Sequence, residues 1–199
     1  MFSMMDTIGC SHVEFLDLND GVFSFQVDTH ETDGPMREDS FRKSLLCSTH
    51  LIRNKDNRYL LLSDDSQFEV LNLTIQQLRQ SDCKFNIQLY NESGQKARNG
   101  SAVMLYANKN GNKFVVCCSD EHEIYPEAMD PPENIKSTQH KAVFYMTKLP
   151  QSNKYMLESS LHRCQFLGFE PDKDNPRQVN LVLHHRVDEV DECCEITLL

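Results

Sequence analysis

The chain has 199 residues, of which 39% are hydrophobic and 25% are charged, a composition typical of one folded domain with a short extension. Its formal net charge of −10 argues against nucleic acid as a partner, because phosphate binding requires a basic surface. No apolar run approaches the roughly 20 residues of a membrane span, and residues 1–10 contain no Lys or Arg, so we expect cytosolic synthesis without a secretory signal and no membrane insertion.

The first 39 residues form a distinct acidic segment. They carry nine carboxylates and one base, Arg37, a net charge of −8, whereas residues 40–199 carry 21 acidic and 19 basic side chains, a net of −2. Within this segment His12–Leu18 and Val22–Val27 alternate in polarity like strands, and the Asp20-Gly21 pair between them is a hairpin signal. A polar linker follows. We therefore predict that residues 1–39 form a segment that can be cut away from one domain, residues 40–199; the family resemblance described below implies that this segment is a pro-segment.

From residue 45 onward the hydrophobic pattern has period two and is broken by turn residues. The predicted strands are Leu45–Arg53, Arg58–Ser63, Gln67–Leu71, Lys84–Tyr90, Ser101–Ala107, Lys113–Cys118, Glu123–Tyr125, Ala142–Thr147, Tyr155–Ser159, Gln165–Phe169, Gln178–His184 and Glu195–Leu198. Leu73, Ile75 and Leu78 predict one or two helical turns. About twelve short strands indicate an all-β sandwich or a closed barrel, and composition does not choose between them.

Eight cysteines are scattered through the chain, and no C-x-x-C motif is present. Cys117 and Cys118 are neighbours on a predicted strand and point to opposite faces, so they do not easily share a metal ion. We favour free, mostly buried thiols, with disulfides and a metal site as the alternatives. No motif for a nucleophile, a metal or a phosphate is present, so we predict no enzyme activity, no catalytic residues and no cofactor.

Seven segments, in order along nearly the whole chain, resemble the interleukin-1 family of cytokines. They are Gly9-Cys10, Leu51–Asn54, Arg79–Tyr90, Met129–Lys136, Lys154–Ser160, Gln165–Gly168 and Val179–Leu183. The general family signature is matched in part, because the proline that usually lies between Ser160 and Phe166 is replaced by His162-Arg-Cys164. The resemblance implies a β-trefoil of about twelve strands, six in a short barrel and six that cap it.

The resemblance also implies a pro-inflammatory cytokine precursor. An inflammatory caspase would cut it after an aspartate of the linker, and the product would leave the cell by an unconventional route as a monomer. Alignment with the family places the cut after Asp39, whereas the Glu and the small Gly34 around Asp33 favour that residue on local chemistry. We lean to Asp39, with Asp33 next. The alternative is that the linker is only a polar tether and is not cut.

The partners implied by the resemblance are two immunoglobulin-type receptor chains, with a soluble binding protein as a further candidate. Arg53 resembles a residue that faces the primary receptor chain, Asp56 lies in the turn that follows, and Asp174 lies where the family places an acidic contact. Lys43 resembles a basic residue that helps to recruit the second chain. The alternative is an intracellular β-trefoil module that binds carbohydrate or lipid headgroups, although the chain has no Trp for sugar stacking.

Overall fold

A computed structural model of the chain describes residues 12–19, 22–28, 40–93, 100–175, 177–185 and 192–199. The chain divides into two units, Met1–Arg37 and Glu38–Leu199. The strands of the described residues are β1 His12–Asn19, β2 Val22–Asp28, β3 Ser40–Arg53, β4 Tyr59–Leu62, β5 Phe68–Leu71, β6 Lys84–Ser93, β7 Ser101–Lys109, β8 Asn112–Cys118, β9 Ile124–Ala128, β10 Asn134–Ile135, β11 Phe144–Lys148, β12 Lys154–Ser159, β13 Gln165–Pro171, β14 Val179–His185 and β15 Ile196–Leu198. Three short 3₁₀ helices occupy Gln77–Arg79, Ser81–Cys83 and Glu192–Cys194.

The first unit contains an antiparallel pair of strands, β1 and β2. The register runs from His12 opposite Asp28 to Asn19 opposite Val22, with a shift between Phe15 and Asp17. Both strands were predicted, and each extends one residue beyond its predicted end. The predicted linker and its processing residues, Asp33 and Asp39, lie outside the described residues.

Six strands of the second unit close into a barrel. Around the ring, β3 pairs with β6, β6 with β7, β7 with β11, and β11 with β12. The short strand β15 completes the ring, because Lys154 and Tyr155 of β12 lie opposite Thr197 and Ile196, while Arg53 and Ile52 of β3 lie opposite Thr197 and Leu198. Barrel closure leaves no free edge among these six strands.

Three hairpins cap the barrel: β4–β5, β8–β9 and β13–β14. Each of them begins with a strand that pairs with the barrel strand before it, β4 with β3, β8 with β7, and β13 with β12. The described residues of this unit thus form three similar repeats of four strands, plus the short β10, which pairs with β3. Six barrel strands and six cap strands are a β-trefoil, and the predicted fold is confirmed.

Alternating apolar residues of the barrel and of the hairpins fill one main core. In β14, Val179 and Leu181 are buried in this core and Leu183 packs against it, as the period of the sequence predicted. Ile52, Leu60 and Phe85 are fully shielded from solvent. Burial of one such side chain contributes about 1.5–3 kcal/mol, so this core is the main source of stability.

A second apolar cluster is formed by residues of β3, β6, β7, β8, β10 and β11. Phe41 is 1% exposed in this cluster, and its ring meets that of Tyr145 in an edge-to-face arrangement with 6.2 Å between centroids. The members of the cluster are Phe41, Tyr90, Ala102, Met104, Val115, Cys117, Ile135, Ala142, Val143 and Tyr145. The start of β3 is therefore anchored by packing as well as by strand pairing.

Several elements differ from the sequence prediction. β3 begins at Ser40, five residues before the predicted Leu45, because the mostly polar Ser40–Lys43 stretch has strand partners that alternation does not reveal. β10 was not predicted, since two residues are too few to show a period. The predicted helical turns around Leu73–Leu78 occur later, as the 3₁₀ helices Gln77–Arg79 and Ser81–Cys83.

Cys47, Cys83, Cys117, Cys118 and Cys164 are free thiols, and Cys83, Cys117, Cys118 and Cys194 are buried. Burial raises the pKa of Cys117 to about 12 and also raises the pKa of Cys118. The two neighbours point to different environments, since Cys117 belongs to the second cluster whereas the Cys118 thiol donates to the Lys141 carbonyl over 3.1 Å. None of the helices in the described ranges has the length and apolar character that a membrane crossing requires.

Candidate functional site

The turn between β3 and β4 holds two of the predicted receptor contacts, Arg53 and Asp56. Asn54 is 3% exposed, and its side-chain oxygen accepts hydrogen bonds from the backbone amides of Asp56 at 3.0 Å and of Arg58 at 2.9 Å. An asparagine that binds the backbone of the residues after it is a common way to fix a turn. Asp56 is exposed at the tip of this turn, and its position is set by Asn54.

The loop between β13 and β14 holds the third predicted contact, Asp174. Asp172 organises this loop, because one of its carboxylate oxygens accepts the backbone amides of Asp174 and Asn175, each at 2.9 Å. Its other oxygen accepts a hydrogen bond from the Asn180 side chain at 2.8 Å. These bonds, that from Asn180 first, hold the pKa of Asp172 below its usual value. The Asp174 carboxylate is thus presented on a loop whose backbone is fixed.

One hydrogen bond joins the two turns. The guanidinium of Arg58 donates to the backbone carbonyl of Arg177 over 2.9 Å. The turn that follows Arg53 and presents Asp56 is therefore a neighbour of the loop that presents Asp174, although the two are far apart in the sequence. We call this region, together with the pocket described next, the first surface.

A pocket of about 390 Å³ lies between β5 and the β13–β14 loop. Its lining comprises Phe68, Glu69, Val70, Leu71, Asn175, Arg177, Gln178, Val179 and Asn180. One apolar side chain of its lining, Leu71, is 45% exposed. A concave site lined by both apolar and polar side chains can receive a side chain of a protein partner. Sequence reasoning missed this pocket, because its walls come from segments that are far apart in the chain.

Arg53 contributes an unusual group to the first surface. Its side-chain Nε is buried, and among the described residues it contacts no hydrogen-bond acceptor. A buried donor without an acceptor costs about 1–3 kcal/mol. Because this Nε is shielded from solvent, a partner could contact only the exposed part of the half-buried Arg53 side chain.

Lys43 lies elsewhere, ten positions before Arg53 along β3. Its ammonium pairs with Glu133 at 2.9 Å, and its backbone amide donates to the Glu133 carbonyl, also at 2.9 Å. A strand rises about 3.3 Å per residue, so Lys43 and Arg53 lie toward opposite ends of β3, and Lys43 is apart from the other three predicted contacts. The β3 bulge beside it presents Leu45, which is 102% exposed.

A second ion pair adjoins Lys43. The Lys113 ammonium binds Asp130 at 2.7 Å and stands 5.9 Å from the centroid of the Tyr106 ring. The hydrogen bond from Lys113 lowers the pKa of Asp130, and the charge of Lys43 lowers it further. We call Lys43, Lys113, Asp130 and Glu133, together with Leu45, the second surface. In the described part of the chain, no three His, Cys, Asp or Glu side chains are grouped as a metal site would require.

Known proteins are similar to the chain in sequence and in fold. It is 28% identical over 169 residues to interleukin-18 of Mus musculus, covering 84% of this chain and 83% of that protein. It is 27% identical over 152 residues to interleukin-18 of Homo sapiens, covering 72% and 73%. The structure of chicken interleukin 1 beta superposes with a TM-score of 0.58 at 18% identity, over 79% of this chain and 98% of that one. No protein-family model matches the chain.

Proposed function

We propose that this interleukin-1 family cytokine is made in the cytosol as an inactive precursor and acts outside the cell once its acidic N-terminal segment is removed. Similarity to interleukin-18 over 84% of the chain supports the cytokine assignment, and cytokines are not enzymes. The proposed cut is made by an inflammatory caspase after Asp39, with Asp33 as the alternative. Export then follows an unconventional route.

The domain of residues 40–199 would bind, as a monomer, the two immunoglobulin-type chains of a heterodimeric receptor of the interleukin-18 type. The observation that carries this proposal is the separation of the first and second surfaces by ten residues of β3, from Lys43 to Arg53. β3 is paired with β6 on both sides of its bulge, so it holds the two surfaces apart while its first residues are docked in the sheet. Simultaneous binding of two chains requires two such separate surfaces.

The first surface fits the primary receptor chain. Binding energy at protein interfaces is concentrated in a few buried anchors, and the pocket beside β5 would take one such anchor from the receptor. The charges of Arg53, Asp56 and Asp174 would fix orientation and exclude partners with the wrong pattern. A soluble binding protein that occupies the same surface is a further proposed partner.

The second surface fits the second receptor chain. Lys43 would make the charged contact there, and the exposed Leu45 would add apolar area. Removal of residues 1–39 changes the formal net charge from −10 to −2. Less negative charge favours the approach of the mature domain to an acidic receptor surface, so we expect receptor association of the precursor to be slower at low ionic strength.

The test begins with the full chain and an inflammatory caspase. Mass spectrometry of the products locates the cut, and surface plasmon resonance measures binding of the precursor and of the product to each receptor ectodomain. We expect one large product beginning at Ser40 and binding of this product to the primary chain. Cleavage within the trefoil, or equal receptor binding before and after cleavage at low and at high salt, would contradict the proposal.

Substitutions then test whether each surface binds a different receptor chain. Arg53→Gln and Asp174→Lys should each weaken binding to the primary chain by about tenfold, which corresponds to about 1.4 kcal/mol. Binding of the second chain to the complex of the variant with the primary chain should stay unchanged. Lys43→Glu should show the opposite pattern. Arg79→Gln and Lys84→Glu, at exposed positions outside both surfaces, serve as matched controls. Identical effects of Lys43→Glu and Arg53→Gln on both chains would argue for a single contact surface.

A further inference from the structure

The first four residues of β3 pair with β6, and two of them also pair with β10. Ser40, Phe41, Arg42 and Lys43 lie opposite Ser93, Glu92, Asn91 and Tyr90 of β6. On the other side, Phe41 and Arg42 lie opposite Ile135 and Asn134 of β10. Phe41 is also buried against Tyr145. We call Ser40–Lys43 the leading segment.

A bulge separates the leading segment from the rest of β3. Lys43 lies opposite Tyr90 and Cys47 lies opposite Gln88, so three residues, 44–46, face a single residue of β6. The buried side chain of Gln88 fills the gap, because its amide donates to the carbonyl oxygens of Ser44 at 2.6 Å and of Leu46 at 3.0 Å. Strand pairing does not run continuously through the bulge, so the leading segment can leave the sheet while Cys47–Arg53 stays in the barrel.

This arrangement conflicts with proteolysis of the bond before Ser40. A protease binds its substrate as an extended chain on both sides of the bond that it cuts. The two residues that follow this bond are Ser40 and Phe41, whose backbone is paired in the sheet and one of whose side chains is 1% exposed. The protease therefore needs the leading segment in a conformation that the folded sheet does not offer.

We propose that the leading segment is a detachable strand, with the Ser44–Leu46 bulge as its joint, whose release from β6 and β10 limits proteolysis of the bond before Ser40. This inference rests on the proposed function for its biological role, since the cut after Asp39 is part of that proposal. The same segment carries Lys43, whose position depends on its contacts with Glu133. Release for cutting and presentation of Lys43 are thus mutually exclusive states, and the segment must dock again before the second surface is complete.

Hydrogen exchange measured by NMR on the full chain tests the joint without any protease. The amides of Lys43 and Leu51 are a matched pair in one strand, because each donates over 2.9 Å to a carbonyl outside it, of Glu133 and of Leu199. We expect the Lys43 amide to exchange at least tenfold faster than the Leu51 amide, since the leading segment opens alone. Equal exchange rates, with both amides opening only on global unfolding, would overturn the proposal.

Two variants test the link to cleavage. Phe41→Ala removes the buried ring, and it should raise both the exchange rate at Lys43 and the caspase rate before Ser40 by about tenfold, whereas Ile75→Ala, at a 74% exposed position away from the joint, should change neither. Paired substitutions Arg42→Cys and Asn134→Cys, at positions that lie opposite each other, allow a disulfide between β3 and β10. The oxidised form should resist the cut, and reduction should restore it.

The outcomes separate this inference from the proposed function. Cleavage of the oxidised double variant at the rate of its reduced form would overturn the role of strand release while leaving the cut itself in place. Cleavage only after Asp33, even in Phe41→Ala, would overturn Asp39 as the processing residue and, with it, the role of the segment in proteolysis.

Discussion

The guanidinium of Arg58 donates to the backbone carbonyl of Arg177 across 119 positions of sequence, at a distance of 2.9 Å. This bond joins the turn that presents Asp56 to the loop that presents Asp174. Arg58 was not among the predicted contacts, because its role is to position other residues rather than to meet a partner.

Arg58→Ala should therefore weaken binding of the primary receptor chain without a direct contact being lost. A charged hydrogen bond of this kind at an exposed position contributes about 1 kcal/mol, so we expect about a fivefold loss of affinity by surface plasmon resonance and a change of less than 1 kcal/mol in the free energy of unfolding. Arg79→Ala is the control for loss of a surface charge. Unchanged affinity in Arg58→Ala would show that the two loops are positioned independently of this bond.

The main core should respond to truncation far more than the exposed bulge does. Leu60 is 0% exposed and Leu45 is 102% exposed, so the same substitution tests opposite environments. Leu60→Ala should lower the free energy of unfolding by about 2–5 kcal/mol, through lost burial and a remaining cavity. Leu45→Ala should stay within about 0.5 kcal/mol of the parent. Urea unfolding followed by circular dichroism measures both, and similar losses would contradict the assignment of the core.

The exposed cysteines should react faster with an alkylating reagent than the buried ones. The thiolate is the reactive species, and burial raises the pKa of Cys83, Cys117 and Cys118. We expect iodoacetamide at neutral pH to modify the exposed Cys47 and Cys164 quickly, and the three buried thiols only at the rate of unfolding. Peptide mass spectrometry at successive times identifies each site. The double substitution Cys47→Ser and Cys164→Ser should remove these two sites from the fast phase of modification. Fast modification of Cys117 would contradict the expectation, because it would show that the second cluster opens in the folded protein.

An ion pair between β9 and the segment before β11 should make stability depend on acid pH. The hydrogen bond from Lys141, at 2.5 Å, lowers the pKa of Glu127 from its usual 4.5, against the opposing effect of burial. A carboxyl whose folded pKa is lowered stabilises the protein above the usual value, and this contribution is lost as pH falls through the folded value. Lys141→Met should therefore cost stability near neutral pH and progressively less below about pH 4.5.

The size of that effect is limited by solvent. Both side chains are exposed by a third or more, so we expect about 0.5 kcal/mol between pH 5 and pH 7. Lys84→Met, at an exposed position of β6, controls for the loss of one positive charge. Urea unfolding from pH 3 to pH 7 gives the comparison. A stability difference between parent and Lys141→Met that persists unchanged at pH 3 would assign it to packing of the lysine stem instead.

The strands of the trefoil could be predicted because the alternation of apolar and polar residues within each strand indicates it. Alternation in Gln178–His184 located β14 to within one residue and identified the face that carries Val179 and Leu181. The start of β3 could not be found in this way, since Ser40, Arg42 and Lys43 are polar, and what makes them a strand is pairing with β6 and β10. The order of the strands and the closure of the ring also depend on pairings between distant segments.

The candidate site was predictable residue by residue but not as a surface. Arg53, Asp56 and Asp174 were predicted from resemblance, whereas nothing in the sequence indicates that Arg58 and Arg177 join the turn after Arg53 to the loop of Asp174. The pocket has walls from β5 and from the β13–β14 loop, more than a hundred residues later, so no window of sequence contains it. The separation of Lys43 from the other three contacts likewise follows from its place on β3 and from the path of that strand in the barrel.

β15 completes the barrel by bridging β3 and β12, and it follows the other five barrel strands in chain order. A nascent chain that already contains those five strands still has two of them without their lateral neighbour. Such an intermediate exposes backbone donors and acceptors that another unfinished chain can bind, so the barrel cannot close before β15 has been synthesised. Cells that make this protein quickly would then need chaperones to shield the open seam until Ile196–Leu198 arrives.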